Sequence, residues 1–270
     1  MADGVGRLTI IGAGAMGSAF AAGVISAGVL GKDDITLTDV DAAKLEKAKS
    51  DLGVSVTSDN AAAVRGANVV LIAVKPGIVP EALEQIGGAL AKEQLVISIA
   101  AGVKLESIES QLPRDTKVIR AMPNTPCRIG AGAIGFARGK TAGDAEVAVA
   151  KRVFDAVGLS FEVPEKLLNA VTGLSGSGPA YIFVLIEALS DAGVRVGIPR
   201  DISTKLAAQT VMGAARMVIE ENEHPARLKD QVTSPGGTTI AGIDALERAG
   251  FRSALIEAVK AATKRAEELG

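Results

Sequence analysis

From residue 7 to about residue 124 the chain alternates short β-branched runs with stretches typical of helices, and this alternation limits the fold more than any other feature. The runs are rich in Val, Ile and Leu, and the segments between them are rich in Ala, Leu and Glu. Strands that alternate with helices predict a parallel sheet covered by helices on both faces. The apolar runs read LTIIGAG, ITLTDV, NVVLIAV, QLVISIAAG and KVIRAMPN.

The strand pattern continues a little further and then stops. Residues 133–139 and 159–165 are strand candidates that flank a helical stretch at 143–157, and they extend the predicted sheet. After about residue 165 only helical patterns follow. We therefore predict an α/β fold in which an N-terminal Rossmann-like, doubly wound, mainly parallel sheet precedes an all-helical C-terminal domain, with the boundary after residue 164. The predicted C-terminal helices cover 178–194, 199–222, 238–249 and 251–269.

The composition excludes several classes of function. The 270-residue chain has a formal net charge of −2, which argues against a nucleic-acid or membrane-surface role. No apolar run approaches the ~20 uncharged residues of a membrane span, and the N-terminus shows no secretion signal, so we expect a cytoplasmic protein. Cys127 and His224 are the single cysteine and histidine, too few for a disulfide framework or a conventional zinc site, and we expect no metal.

The first chemical motif follows the first strand. Gly12, Gly14 and Gly17 form G-x-G-x-x-G between an apolar strand and a helical pattern. Such a loop needs a tight turn, then close backbone approach to a pyrophosphate, then close packing of helix on strand. Asp39 ends the second strand 22 residues after Gly17, where this fold places an acid on the adenosine ribose. The pattern predicts a dinucleotide-binding domain over residues 1–164.

Asp39 also bears on the choice of cofactor. A carboxylate accepts hydrogen bonds from ribose hydroxyls and repels a 2′-phosphate. Val40 and Asp41 bring no positive charge, and Lys44 is the only cation nearby in sequence. The sequence therefore favours NADH over NADPH, and NAD(P)H is expected as the cofactor because Lys44 could accommodate the phosphate.

The later strand ends supply further ligand-binding candidates, because a doubly wound sheet binds ligands at the carboxyl ends of its strands. They read AVKPG (73–77), IAAGV (99–103) and MPNTP (122–126). Lys75 is a candidate phosphate or ribose contact, with a solvated surface lysine as the alternative. Asn124 is a polar group close to where the nicotinamide or the substrate would lie.

Strong acid–base machinery is missing from the sequence. His224 precedes a proline, so a helix boundary is a better assignment for it than a general base. Cys127 is better assigned as a small buried or loop residue than as a nucleophile. A dinucleotide site without such groups suits hydride transfer to an already reactive acceptor, since the cofactor carries the hard chemistry.

A second motif, TSPGGTT (233–239), stands directly before an amphipathic helical pattern. The hydroxyls suit N-capping, Pro235 suits a first helical turn, and the glycines allow close backbone approach. The same features make a site for a small carboxylate or phosphate. From these residues alone, an ordinary N-cap and an anion site both stay open.

Along nearly its whole length the chain resembles the pyrroline-5-carboxylate reductase family, which completes proline biosynthesis. The resemblance is carried by IGAGAMG, AVKP, AAGV, MPNTP, VTGLSGSGPAYIF (171–183), HPARLKDQVTSPGGTTIAGIDALE (224–247) and GFRSALIEAV (250–259). It implies hydride transfer from NAD(P)H to the C=N carbon of the substrate imine, 1-pyrroline-5-carboxylate, to give L-proline.

The resemblance also implies roles for individual residues. The helix start at TSPGGTT would receive the substrate carboxylate, and the hydroxyl of Thr239, the catalytic candidate, would lie near the ring nitrogen. The implied substrate-binding residues are Asn124, Ser234, Gly236, Gly237, Thr238 and Thr239. The candidate cofactor-binding residues are Gly12, Gly14, Ala15, Met16, Gly17, Asp39, Asn60, Ala73, Val74, Lys75, Pro76 and Ala101.

The implied assembly is a homodimer. In the family, helices of two subunits interlock, the substrate loop of one subunit lies near the nucleotide domain of the other, and five dimers commonly form a decamer. Residues 165–270 are accordingly predicted to serve dimerisation and substrate binding. The wide apolar faces in 178–194 and 199–222 support the pairing.

Three alternatives remain at the level of sequence. A related reductase of a six-membered cyclic imine would share the same signature. A β-hydroxyacid dehydrogenase would carry a catalytic lysine a few residues after its glycine-rich interdomain segment, whereas here no lysine or arginine follows GLSGSG before Arg195. A non-catalytic dinucleotide sensor is expected to add a DNA-reading helix pair or a basic face, and the balanced charge argues against both.

Overall fold

The computed structural model describes residues 4–270, which form two compact units. The first unit contains residues up to 177 together with 261–270, and the second contains 178–260. The chain segmentation predicted from the sequence, with a boundary after residue 164, stays a prediction.

The first unit is built on one eight-stranded sheet with the order β3-β2-β1-β4-β5-β6-β7-β8. All neighbouring strands are parallel except β6 and β7, which run antiparallel. The first six strands follow the order of the doubly wound dinucleotide-binding fold, in which ligands bind outside the carboxyl ends of the strands. The strands are β1 (Leu8–Ile11), β2 (Ile35–Thr38), β3 (Ser55–Thr57), β4 (Val69–Ile72), β5 (Leu95–Ser98), β6 (Lys117–Met122), β7 (Gly132–Arg138) and β8 (Gly158–Glu162).

Helices cover both faces of this sheet and create two hydrophobic clusters, one on each face. Strands β1, β4 and β5 are buried along their whole length, which explains why they read as continuous apolar runs. The three phenylalanines Phe20, Phe136 and Phe154 pack together in one cluster. The helices are α1 (Ala15–Ser26), α2 (Ala42–Leu52), α3 (Asn60–Val64), α4 (Val79–Gly87), α5 (Leu105–Glu109), α6 (Asp144–Asp155) and α7 (Leu168–Val171).

The second unit is helical and leaves much of its apolar surface open. Between residues 178 and 260, all of which the structure describes, the buried residues are Ser190, Ser203, Ala207 and Leu228. Its helices are α8 (Gly178–Arg195), α9 (Arg200–Glu220), α10 (Pro225–Gln231), α11 (Thr238–Arg248) and α12 (Phe251–Leu269), the last of which ends in the first unit.

The predicted fold class is confirmed, and the long helices begin and end within two residues of their predicted bounds. The short strand β3 and helix α10 were not predicted. His224 is the N-cap of α10, where its Nδ1 accepts a hydrogen bond from the N–H of Ala226 at 3.2 Å, so its assignment to a helix boundary is confirmed. Within residues 4–270 no helix combines the length and hydropathy that crossing a membrane requires.

Candidate functional site

The glycine-rich loop assigns a separate physical role to each of its three glycines. Gly12 has φ +107°, and a Cβ there would lie 2.6 Å from the carbonyl oxygen of Ala73. A Cβ on Gly17 would lie 1.9 Å from the carbonyl oxygen of Gly12, so only glycine lets α1 pack this closely on the strand end. A Cβ on Gly14 would meet nothing within 4 Å, which leaves its backbone open to a ligand.

The N-terminus of α1 has the properties of an anion site. Gly14 is the N-cap and offers no side-chain hydrogen bond, and the first turn contains no acidic residue. The first N–H groups of a helix have no partner within the helix, and its dipole favours negative charge there. The residues present therefore fit a dinucleotide pyrophosphate.

Asp39 is hydrogen-bonded to the glycine-rich loop and lines a cavity beside it. Its Oδ2 accepts a hydrogen bond from the N–H of Ala13 at 3.0 Å, and its Oδ1 accepts one from the N–H of Asp41, also at 3.0 Å. The Lys44 Nζ lies 3.5 Å from Oδ1, and the Asp39 side chain is only 10% exposed. The carboxylate thus couples the end of β2 to the glycine loop and keeps part of its accepting capacity for a ligand.

A cavity of about 350 Å³ opens beside this carboxylate at the carboxyl ends of β1, β2 and β4. Seven predicted cofactor residues line it: Gly12, Gly14, Asp39, Asn60, Ala73, Val74 and Lys75. Ala15, Met16 and Gly17 lie in the first turn of α1, Pro76 begins a 3₁₀ turn, and Ala101 follows β5; these five are not among its described lining residues. Cofactor binding by all twelve stays a prediction.

One wall of this cavity carries four polar side chains that are hydrogen-bonded in series, and only one of them was predicted from the sequence. The Thr38 hydroxyl donates to Asn60 Oδ1 at 2.5 Å, Asn60 Nδ2 donates to Gln85 Oε1 at 2.6 Å, and Gln85 Nε2 donates to Glu81 Oε1 at 3.2 Å. Asn60 was predicted, whereas Thr38, Glu81 and Gln85 were missed. The four-residue spacing of Glu81 and Gln85 marks one face of α4 and was the available signal.

Asn124 lies after β6 and bridges two other segments of the first unit. Its Oδ1 accepts a hydrogen bond from the N–H of Ala133, and its Nδ2 donates to the carbonyl of Ser175, both at 3.0 Å. This bridging was not predicted, and the substrate-binding role assigned to Asn124 stays a prediction. Cys127, on the same loop, is buried as expected, and burial raises the pKa of its thiol.

In the second unit, the TSPGGTT segment leads into α11 through a turn. Gly236 has φ +67°, Gly237 is the N-cap, and the helix begins at Thr238. Pro235 therefore lies in the turn rather than in the first helical turn, where it was expected. No side chain of the described residues caps α11, and its first turn contains no acid. Gly237 and Thr239 are half-buried, while Ser234, Gly236 and Thr238 are exposed.

The open N-terminus of α11, free of any acid, favours the anion-site interpretation over the N-cap interpretation. An ordinary cap would use a hydroxyl of this segment to satisfy the first N–H groups. Instead a Cβ on Gly237 would lie 2.2 Å from the Ser234 Oγ, so the serine hydroxyl stands close to the N-cap without bonding there.

Sheet order, glycine loop and cavity together define a dinucleotide-binding domain. Residues 7–102 match the family described as NADP oxidoreductase, coenzyme F420-dependent, which places the protein in the class of NAD(P)H-dependent oxidoreductases. Residues 165–269 match the model described as pyrroline-5-carboxylate reductase dimerisation. A pyrroline-5-carboxylate reductase from Synechocystis sp. is 48% identical over 264 residues, which cover 98% of each protein. The chain belongs to the pyrroline-5-carboxylate reductase family.

Solved structures agree with this assignment. The pyrroline-5-carboxylate reductase of Coxiella burnetii superposes with a TM-score of 0.94 at 38% identity, covering 98% of this chain and 99% of the other. The Plasmodium falciparum pyrroline carboxylate reductase, solved with NADP bound, gives 0.85 at 32% identity with 98% of both chains covered. The predicted family, enzyme class and function are confirmed.

Proposed function

We propose that this chain transfers a hydride from NAD(P)H to the C=N carbon of 1-pyrroline-5-carboxylate and releases L-proline. The observation that carries the proposal is the start of α11, an uncapped helix N-terminus surrounded by hydroxyls in a chain of this family. The substrate is a small cyclic imine with one carboxylate, and this helix start offers what a carboxylate needs.

The carboxylate would be held by Ser234, Gly236, Gly237 and Thr238. Main-chain N–H groups at the first turn donate hydrogen bonds, and the helix dipole adds an attraction of about 0.3–1 kcal/mol at an exposed site. Since the first turn contains no acid, nothing offsets this attraction locally. Fixing the carboxylate orients the ring, and orientation is the main service that hydride transfer requires from the protein.

Thr239 would serve the ring nitrogen. An imine that gains a hydride at carbon must hold a proton at nitrogen, and its nitrogen is basic enough to arrive protonated. The Thr239 hydroxyl, one residue into α11 and half-buried, would accept a hydrogen bond from this N–H or pass on a proton from water. No separate strong acid is then needed.

The dinucleotide would lie in the cavity at the strand ends. The N-terminus of α1 would hold its pyrophosphate, and Asp39 and Asn60 would face its adenosine half. The reduced nicotinamide supplies the hydride when bound. The remaining predicted contacts follow β4 and β5, where backbone rather than bulky side chains would pack along the nucleotide.

The same cavity supports a preference for NADH. Asp39 and Glu81 both line it, and the nearest cation, Lys44, is already engaged with Asp39 and Asp41. A 2′-phosphate would add about two negative charges between these acids, whereas a ribose diol offers them donors. The other lining cation, Lys75, follows β4 rather than β2.

The functional unit would be a homodimer formed through the C-terminal helices. Several large side chains of α8 and α9 are more than half exposed in the single chain: Phe183, Val184, Leu206 and Ile219. An apolar surface of this kind marks an interface between proteins. A decamer of five dimers and a cytoplasmic location stay predictions from the sequence.

The test is the loss of reduced-nicotinamide absorbance with pyrroline-5-carboxylate, run in parallel with NADH and NADPH. Rapid oxidation is expected, faster with NADH at equal subsaturating concentrations. No oxidation with either cofactor, in protein that still binds them, would contradict the proposed substrate. The six-membered cyclic imine, measured in the same assay, would then show whether the ring size was misassigned.

A further inference from the structure

A turn of π-helix separates α7 from α8. It spans Thr172–Gly176, and the N–H of Ser177 donates to the carbonyl of Thr172, five residues earlier, at 2.8 Å. The turn is the last segment of the first unit before residue 178. Turns of this type are rare within helices and recur at functional sites.

The sequence leaves one carbonyl of this turn without its regular helical donor. In an α-helix the carbonyl of Ser175 would accept a hydrogen bond from the N–H of residue 179, and residue 179 is proline, which has none. The structure supplies the missing donor from 51 residues away, because Asn124 Nδ2 donates to this carbonyl at 3.0 Å. The other end of the same amide receives the N–H of Ala133 at the start of β7.

Packing around this hydrogen bond is close. A Cβ on Gly176 would lie 2.8 Å from the terminal methyl of Met122, and a Cβ on Gly135 would lie 2.8 Å from the methyls of Val171. The Met122 methyl at the end of β6 therefore packs on Gly176 of the turn, and Val171, just before the turn, packs on Gly135 within β7. The hydrogen bond from Asn124 adds a polar contact between the turn and the loop after β6.

We propose that Asn124 is a positioning residue for the reductase, which replaces the donor that Pro179 lacks and holds the Thr172–Gly176 turn against the carboxyl end of β6. The inference rests on the proposed function, because that edge of the sheet is where the nicotinamide half of the cofactor would lie. In this role Asn124 acts through the turn and need not touch the substrate.

The experiment compares three variants with the wild type: Asn124→Ala, Pro179→Ala and the double variant. Asn124→Ala removes both part-buried hydrogen bonds of the amide and is expected to lower kcat/KM for the imine at least about tenfold. Pro179→Ala alone is expected to stay within about twofold, since Asn124 still supplies the donor. In the double variant the new N–H of residue 179 is expected to donate to the Ser175 carbonyl as in a regular α-helix, and kcat/KM should recover to within about threefold of wild type.

Binding of ADP-ribose, which lacks the nicotinamide, is the control for folding and should be unchanged in every variant. If Asn124→Ala fails this control, Asn124→Asp replaces it, since a carboxylate keeps the acceptor for Ala133, has no donor for Ser175 and repels that carbonyl. A loss of activity that Pro179→Ala does not restore, or no loss at all, would overturn the proposal; the former would point to direct contact of Asn124 with substrate or cofactor.

Amide hydrogen exchange gives a readout that does not need activity. Exchange at Ser177 should become faster in Asn124→Ala and return towards the wild-type rate in the double variant. If the wild type shows no imine reduction, the proposed function fails, but this exchange pattern still tests whether the hydrogen bond from Asn124 to Ser175 holds the turn. Unchanged exchange in Asn124→Ala would show that this hydrogen bond does not hold the turn, even in an active enzyme.

Discussion

Helices α1, α6 and α11 each begin directly after a glycine N-cap, and they differ in what satisfies their first N–H groups. At α6 the N–H of Gly143 donates to Glu146 Oε2 at 2.8 Å, and two acids stand in the first turn. At α1 and α11 the N-caps Gly14 and Gly237 receive no side-chain hydrogen bond, and the first turns hold no acid. The protein thus closes one helix start with its own carboxylate and leaves the other two without a side-chain cap from residues 4–270.

The uncapped N-termini of α1 and α11 differ in the groups that surround them. The start of α1 is fixed by contacts among backbone atoms of the glycine loop, whereas the start of α11 is surrounded by hydroxyls. Backbone contacts suit a pyrophosphate that must approach closely, and hydroxyls suit a ligand whose ring nitrogen also needs a partner. Each of the following changes breaks or sharpens this comparison.

Gly17→Ala should have the largest effect. Alanine improves helix propensity by about 1 kcal/mol, but its Cβ would lie 1.9 Å from the carbonyl oxygen of Gly12. Overpacking against backbone costs about 1–3 kcal/mol or more, so the clash outweighs the gain and the free energy of unfolding falls. Thermal unfolding of the cofactor-free protein measures this, and an unchanged midpoint would show that the loop can shift freely.

Gly14→Ala is the matched control for the fold and the larger test of the site. Its φ of −73° suits alanine, and the new Cβ meets nothing within 4 Å, so the unfolding midpoint should not change. The methyl group would stand where the pyrophosphate approaches, and NADH affinity should fall roughly tenfold or more. Calorimetric titration of Gly14→Ala with NADH measures this affinity. An affinity equal to that of the wild type would show that the pyrophosphate does not bind beside Gly14.

Thr239→Ala should lower kcat about tenfold at saturating imine, because a hydrogen bond to the ring N–H or a proton path is lost. Thr239→Ser retains the hydroxyl and should keep kcat within about threefold. NADH binding should be the same in both variants. Undiminished turnover of Thr239→Ala would remove the hydroxyl from the mechanism and leave α11 as a carboxylate site alone.

A substitution of Glu146, whose carboxylate caps the start of α6, should have the smallest effect of the four, and it should change only stability. Burial opposes ionisation of Glu146, but the hydrogen bonds from Lys117 and from the N–H of Gly143 outweigh it, so the pKa of this carboxyl is lowered. Its stabilisation is therefore present above the unfolded pKa of 4.5 and is lost as the pH falls through the folded value.

Glu146→Gln should remove this pH dependence at a cost of about 1 kcal/mol near neutral pH, because the amide oxygen can still accept from Gly143 but cannot pair with Lys117. Unfolding in urea at pH 7 and pH 4 measures both the loss of stability near neutral pH and the pH dependence of the free energy of unfolding. An identical slope of stability against pH in variant and wild type would show that Glu146 is not the titrating group. Reductase activity should not change.

Much of the first unit could be predicted from sequence. Continuous apolar runs are the direct result of strands buried on both faces, and the spacing of Gly12 and Gly17 follows from the backbone contact between these two residues. The hydrogen-bonded series Thr38–Asn60–Gln85–Glu81 could not, since it joins β2, α3 and α4, whose proximity exists only in the folded sheet. Pro235 was misplaced because proline suits both a turn and a first helical turn.

The start of α11 marks the limit of reasoning from pattern alone. Its residues are those of an ordinary N-cap. Only the folded geometry shows whether their hydroxyls accept hydrogen bonds from the first N–H groups of the helix, and at α11 they do not. For Asn124, part of the signal was present, because a proline four residues after Ser175 cannot give its carbonyl the N–H that an α-helix would supply. The identity of the replacement donor, 51 residues away, is a matter of tertiary structure.

The second unit has few buried side chains of its own, and this links its folding to the amount of protein in solution. Where the apolar faces of α8 and α9 are covered only by another subunit, each tenfold dilution removes up to about 1.4 kcal/mol per mole of dimer from the free energy that separates folded from unfolded chains. The melting temperature of this protein is then a property of its concentration. Dilution alone, without any denaturant, would weaken the helical unit long before it affected the sheet.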